Sequence, residues 1–158
     1  MPPTIRALRP DDRPYLLEAL RSDETFNEEE VQVALELIDN ALEHGQHDYS
    51  VRVADLEARP AAGYICFGRT PMTAATYDLY WVVTHAQARG HGVASTLVRK
   101  MEEELRRLRA RSIRVETSLQ ESYGAARGLY ERLGYPIVAR FPDFYRAGDD
   151  LIVYYKRL

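Results

Sequence analysis

Between the apolar run "LYWVV" and the amphipathic segment "TLVRKMEEELRRLR" stands "ARGHGVAS", residues 88–95, with glycines at 90 and 92. A strand-like run, a flexible loop and a helix start are thus compressed into a few residues. The chain must leave a sheet there and enter a helix at once. Glycine permits the left-handed backbone that such a turn needs and leaves main-chain N–H groups open to close approach. The first N–H groups of the new helix have no intrahelical partners, and the helix dipole favours an anion beside them. Two readings follow: a plain strand-to-helix turn, or a cradle for phosphate groups. No Gly-Lys-Ser/Thr follows the glycines, which disfavours a P-loop nucleotide site.

The elements on either side decide what surrounds this unit. "TIRAL" reads as an opening strand, and "RPDDRPYLLEALRS" as a helix with Pro in its first turn. "FNEEEVQVALELIDNALEHG" is a second helix, with Asn27 as cap, Glu30 completing a capping box and Gly45 as stop. Val31, Ala34, Leu35, Ile38 and Leu42 recur on one face. "YSVRVADL", "AAGYICFGR" and "ATYDLYWVV" carry the β-branched and aromatic residues of strands. The helix behind the glycine loop is expected to bury Val93, Leu97, Val98, Met101, Leu105 and Leu108. "SIRVETS" is a strand, "SYGAARGLYERLG" a helix closed by Gly134, and "YPIVARF" and "DLIVYYKRL" are final strands joined by the polar loop "RAGDD". The order βααβββαβαββ predicts an α+β fold in one domain over residues 1–158: a mostly antiparallel central sheet of about seven strands flanked by four helices.

Composition excludes several classes. A formal net charge of −3 lacks the basic footprint of a nucleic-acid binder. No apolar stretch approaches the roughly 20 residues that span a bilayer, and "MPPTIRALRPDD" has no signal-peptide core. The lone Cys66, in "YICFG", reads as a core residue and requires no oxidising compartment, so a soluble cytoplasmic protein is expected. His44 and His47 flank Gly45 without a cysteine cluster or a His-Glu-x-x-His pattern, so no metal is expected. Charge is uneven along the chain: residues 23–57 are rich in Asp and Glu, and residues 89–114 carry clustered arginines.

With these elements in place, the chain resembles the GCN5-related N-acetyltransferase (GNAT) superfamily. "RGHGVA", from Arg89, is similar to its acyl-CoA signature, Arg/Gln-x-x-Gly-x-Gly/Ala. "QARGHG", from Gln87, also fits the signature. The Arg89 register is preferred because it puts Leu97 and Val98 where the family has paired aliphatic residues and Val93 in the apolar slot. A second stretch, "YGAARGLYERLGY", resembles the family's Asn-x-x-Ala-x-x-x-Tyr-x-x-x-Gly-Phe pattern. Ala126, Tyr130, Gly134 and Tyr135 fill its slots, and Tyr123 replaces the usual Asn.

The resemblance implies acetyl-CoA as cosubstrate and direct attack by an amine on its thioester. It assigns the coenzyme to Arg89, Gly90, His91, Gly92, Val93, Ala94 and Ser95 of the loop and helix start. Backbone N–H groups at Val82, Val83 and Thr84 would take the pantetheine arm, with Tyr123 and Tyr130 on the following helix. Tyr130 is the implied general acid, since a phenol with a pKa of about 10 is protonated at neutral pH. Glu116 in "RVETS" and Asp78 in "TYDLYW" are the two candidate bases, with Glu116 preferred. Phe144 and Tyr145, in "FPDFYRAGDD", are candidate walls of the acceptor site. The acceptor is a small-molecule amine or a peptide or protein amine. Nucleic acid and membrane are not expected partners, and a homodimer is compatible with the family. The alternative is a non-catalytic acyl-CoA-binding regulatory module of the same fold.

Overall fold

The computed structural model describes residues 1–22 and 24–158. Asp23, which opens the acidic stretch, lies outside them. Strands β1 (Thr4–Ala7), β2 (Ser50–Leu56), β3 (Arg59–Arg69), β4 (Thr76–Thr84), β5 (Ser112–Ser118), β6 (Ile137–Arg146) and β7 (Asp149–Arg157) form one sheet. Its order is β1-β2-β3-β4-β5-β7-β6. Helices α1 (Arg13–Arg21), α2 (Glu28–Glu43), α3 (Val93–Arg107) and α4 (Gly124–Arg132) flank it. Among the described residues the α+β expectation of seven strands and four helices holds.

Every strand pair is antiparallel except β4–β5, which α3 joins as a crossover. That parallel pair covers only Thr76–Leu79 against Ser112–Val115. Beyond it β4 stays with β3 through Thr84, while β5 stays with β7 through Ser118. The sheet therefore forks. A bulge helps: Cys66 faces Trp81 and Phe67 faces Leu79, so Tyr80 is the extra residue on β4.

The capping box at Asn27 and Glu30 forms as the sequence predicts, and Gly45, at φ +65°, ends the second helix. Both faces of the sheet are covered. Val93, Leu97, Val98, Met101 and Leu105 of α3 pack on one face, and α1 and α2 bring Leu16, Leu20, Val31 and Ile38 to the other. Each such side chain contributes about 1.5–3 kcal/mol by leaving water. At Gly63 a Cβ would meet the Val83 carbonyl oxygen at 2.4 Å and Val93 Cγ1 at 2.8 Å. Glycine there lets β3 lie tight beneath the strand end and helix start that frame the loop.

Two expectations are corrected. Leu108 is 61% exposed, because α3 ends at Arg107 and the chain turns through Arg109 at φ +61°, delivering Ala110 to the core instead. β6 does not stop at Phe141 but continues through Pro142 to Arg146, leaving only a turn at Ala147 and Gly148. Proline is tolerated because β6 lies at the edge of the sheet.

Candidate active site

The fork between β4 and β5 opens a cleft of about 1080 Å³, and both sequence motifs face it. Gly90 and Gly92 adopt φ +82° and +73°, and Gly92 is the N-cap of α3. A Cβ at Gly90 would meet nothing within 4 Å, and one at Gly92 nothing nearer than 3.8 Å. The glycines thus serve backbone conformation and open access, not packing against the protein. The Thr96 N–H donates to the Gly92 carbonyl at 3.0 Å, the first helical bond of α3. The N–H groups of Val93, Ala94 and Ser95, one step earlier, have no intrahelical acceptor.

Arg89, Gly90, Gly92, Val93, Ala94 and Ser95 all line the cleft, as do Val82, Val83 and Thr84. His91 does not: its exposed ring turns back on the Ala88 and Arg89 carbonyls at 3.2 and 3.1 Å. Gln87 does not line the cleft, and its side chain accepts from Arg59 at 2.5 Å. Arg99 of α3 and Arg132 of α4 also reach the cleft. Sequence reasoning missed both, although Arg99 lies one turn beyond Ser95.

Tyr130 projects from α4 between two aromatic rings, Tyr154 at 5.3 Å and Tyr135 at 5.9 Å between centroids. Only 4% of the residue is exposed, and it lines the cleft. Among the described residues its hydroxyl has no hydrogen-bond partner. Burial pushes its phenol pKa up, with the neighbouring Tyr154 adding to the effect. Tyr135 is held in turn, its hydroxyl donating to buried Glu102 at 2.7 Å, and Lys156 meets that carboxylate at 3.0 and 3.1 Å.

Tyr123 stands at the N-cap of α4 and lines the same cleft with Ala126. Arg127 steadies the preceding loop, donating to the Ser118 and Gln120 carbonyls at 2.7 and 2.8 Å. The Tyr123 hydroxyl crosses the cleft and donates to Glu30 of α2. Phe26 packs edge-on against Tyr123 and Trp81, at 6.0 and 5.2 Å. Glu30 was visible in the sequence only as a capping residue.

The two candidate bases differ in their surroundings. Asp78 is buried and receives Arg114 Nε and Nη2 at 2.7 and 3.2 Å and the Thr70 hydroxyl at 2.8 Å. Glu116 lines the cleft with its side chain 48% exposed, and its nearest cation is Arg114 Nη1 at 3.7 Å. Tyr145 joins them in the cleft wall, whereas Phe144 is exposed and outside it. The Tyr145 phenol is pushed up first by burial and then by the charges of Glu116, Asp149 and Glu30.

The acetyltransferase (GNAT) family model matches residues 11–135. A structure from Desulfovibrio desulfuricans assigned to the GNAT family is 34% identical, with a TM-score of 0.91 and 98% of each chain covered. Two more distant structures share the fold. Ribosomal-protein-alanine N-acetyltransferase from Brucella melitensis is 22% identical, with a TM-score of 0.76 over 98% of this chain and 99% of that one. A Salmonella typhimurium structure described with its cofactor acetyl-CoA is 20% identical, with a TM-score of 0.75 over 100% and 95%. No match was found among curated proteins.

Proposed function

The chain belongs to the acetyltransferase (GNAT) family, and on that premise we propose that it transfers an acetyl group from acetyl-CoA to a primary amine. The observation that carries this reading is Tyr130: a buried, unpartnered phenol in the same cleft as the Gly90–Gly92 loop and Glu116. A fold retained only to bind an acyl-CoA has no use for a proton donor held there.

The residues present fit the coenzyme. The open N–H groups at the start of α3, with Arg89, Arg99 and Arg132, suit an anionic pyrophosphate. Val82–Thr84, on the β4 edge freed by the fork, suit the pantetheine arm. Bound acetyl-CoA supplies the activated thioester. Of the backbone N–H groups here, those of Val82 and Thr84 face away from β3 and polarise the thioester carbonyl as oxyanion-hole donors do, whereas that of Val83 is turned towards Tyr64 in the sheet. Glu116 takes the proton of the incoming ammonium, the neutral nitrogen bonds to the acetyl carbonyl carbon as the C–S bond breaks, and Tyr130 gives its phenolic proton to the departing sulfur and regains one from the acylated nitrogen. Asp78, committed to Arg114, holds the fork rather than the proton. Among the described residues no helix is long and apolar enough to cross a membrane.

Two measurements test this together: the shift in melting temperature with acetyl-CoA, and free-thiol release over a panel of amines. At 100 times its Kd a ligand adds about 2.7 kcal/mol of stability. Stabilisation without amine-dependent thiol release would leave the chain a binding module.

A further inference from the structure

The charges lining the cleft are segregated. Arg89, Arg99 and Arg132 lie on the side of the glycine loop, α3 and α4. On the side of α2 and the sheet stand five carboxylates, Glu29, Glu30, Asp78, Glu116 and Asp149, against the arginines 114 and 146. Both arginines are engaged: Arg114 with Asp78 at 2.7 Å, and Arg146 with Asp149 at 3.4 Å. Glu30 is different. One of its oxygens accepts from the Asn27 backbone N–H at 3.1 Å and the other from the Tyr123 hydroxyl. Both donors are neutral, so among the described residues its charge has no cationic partner. The capping box accounts for the first contact; nothing in helix capping calls for the second, from a residue 93 positions away.

Tyr123, which holds this carboxylate, belongs to an aromatic group that lines the cleft. Phe26, Trp81 and Tyr123 form an edge-packed group, with Tyr49 and Tyr80 paired at 5.4 Å along the same wall. Aromatic rings beside an uncompensated carboxylate attract a cation by quadrupole and charge together. Glu116, Glu30 and Tyr145 all line this cleft. Tyr130, whose hydroxyl has no hydrogen-bond partner among the described residues, lines the same cleft.

We propose that the acceptor is an amine carrying a second positive charge, a diamine or polyamine, whose reacting nitrogen lies by Glu116 and whose distal cation is held by Glu30 and Tyr123 among Phe26 and Trp81. This rests on the amine-acetylation reading and adds the substrate class. A neutral or anionic substituent in the distal position leaves Glu30 unneutralised and is disfavoured.

The test compares kcat/KM for α,ω-diamines of three to six carbons with n-alkylamines of the same length, and with a zwitterionic amino acid. The account expects a diamine preference of about tenfold or more, from distal contacts worth roughly 1.4 kcal/mol. In Glu30→Gln that ratio collapses towards one, whereas Glu43→Gln, on the exposed end of α2, keeps it. Equal rates for the two series, or a preference that survives Glu30→Gln, overturn the inference. Calorimetric titration of a diamine into the protein saturated with CoA separates this from the reading it rests on. Absence of thiol release with every amine defeats the transfer reading alone, if the diamine still binds and Glu30→Gln abolishes that binding. A diamine that does not bind defeats the substrate class, whatever the turnover.

Discussion

Arg114 on β5 closes on Asp78 on β4 with Nε and Nη2 at 2.7 and 3.2 Å, across the last stretch where the two strands still pair. The contact sits at the throat of the fork and divides the labour between two acids. Asp78 is spent on holding the strands, and Glu116, two residues beyond Arg114, remains accessible. Glu116→Gln is expected to lower kcat by about 100-fold and to abolish the ascending limb of the pH–rate profile. Asp78→Asn is expected to retain that limb and instead to cost about 1–3 kcal/mol of stability, the worth of a hydrogen bond to a charged group. Thermal melts and pH profiles of the two variants check both outcomes.

Tyr130→Phe keeps the packing against Tyr135 and Tyr154 and removes only the proton. It is expected to lower kcat by about 100-fold while acetyl-CoA still raises the melting temperature as in the parent chain. Because burial raises the phenol above its ordinary value, no loss of rate from phenol ionisation is expected up to the ordinary phenol pKa of about 10. A descending alkaline limb below that point, lost in Tyr130→Phe, would contradict the assignment.

Gly90 separates ligand access from protein packing. A side chain there meets no protein atom within 4 Å, but on the proposed reading it stands where a phosphate approaches. Gly90→Leu is expected to abolish the stabilisation by acetyl-CoA. The backbone, at φ +82°, adds strain of about 1–2 kcal/mol, read as a fall in the melting temperature without ligand. An undiminished shift with acetyl-CoA would remove the loop from the coenzyme site.

Acid should weaken the fold through Asp39 and Asp55. Arg13 lowers the Asp39 pKa by hydrogen bonding; at Asp55 burial pushes upward, but the bonds from Arg6 and the Ala61 N–H outweigh it. A carboxyl depressed in the folded state binds its proton more readily when unfolded. Its contribution is therefore full above the unfolded value, 3.8, and is lost as the pH falls through the folded value. Melting temperatures measured downward from pH 6 should fall most steeply below that point. Asp55→Asn should flatten the fall.

The glycine loop, the α3 stripe and the Asn27–Glu30 capping box were legible because each is written in neighbouring residues. The fork was not: "ATYDLYWVV" and "SIRVETS" read as whole strands, and nothing local marks where their pairing stops. The commitment of Asp78 to Arg114 depends on a contact 36 residues apart, and the role of Glu30 in the cleft on one 93 residues apart. Leu108 fits the helical period but falls beyond the last turn, where the chain has already changed direction. His91 satisfies the motif's spacing, yet its ring is taken by carbonyls of its own loop.

Release of free CoA thiol from acetyl-CoA, with and without an amine, tests the central claim most directly. The account predicts thiol release that depends on both substrates and falls about 100-fold in Tyr130→Phe. Binding of acetyl-CoA without release for any amine, or release indifferent to Tyr130→Phe, would contradict it.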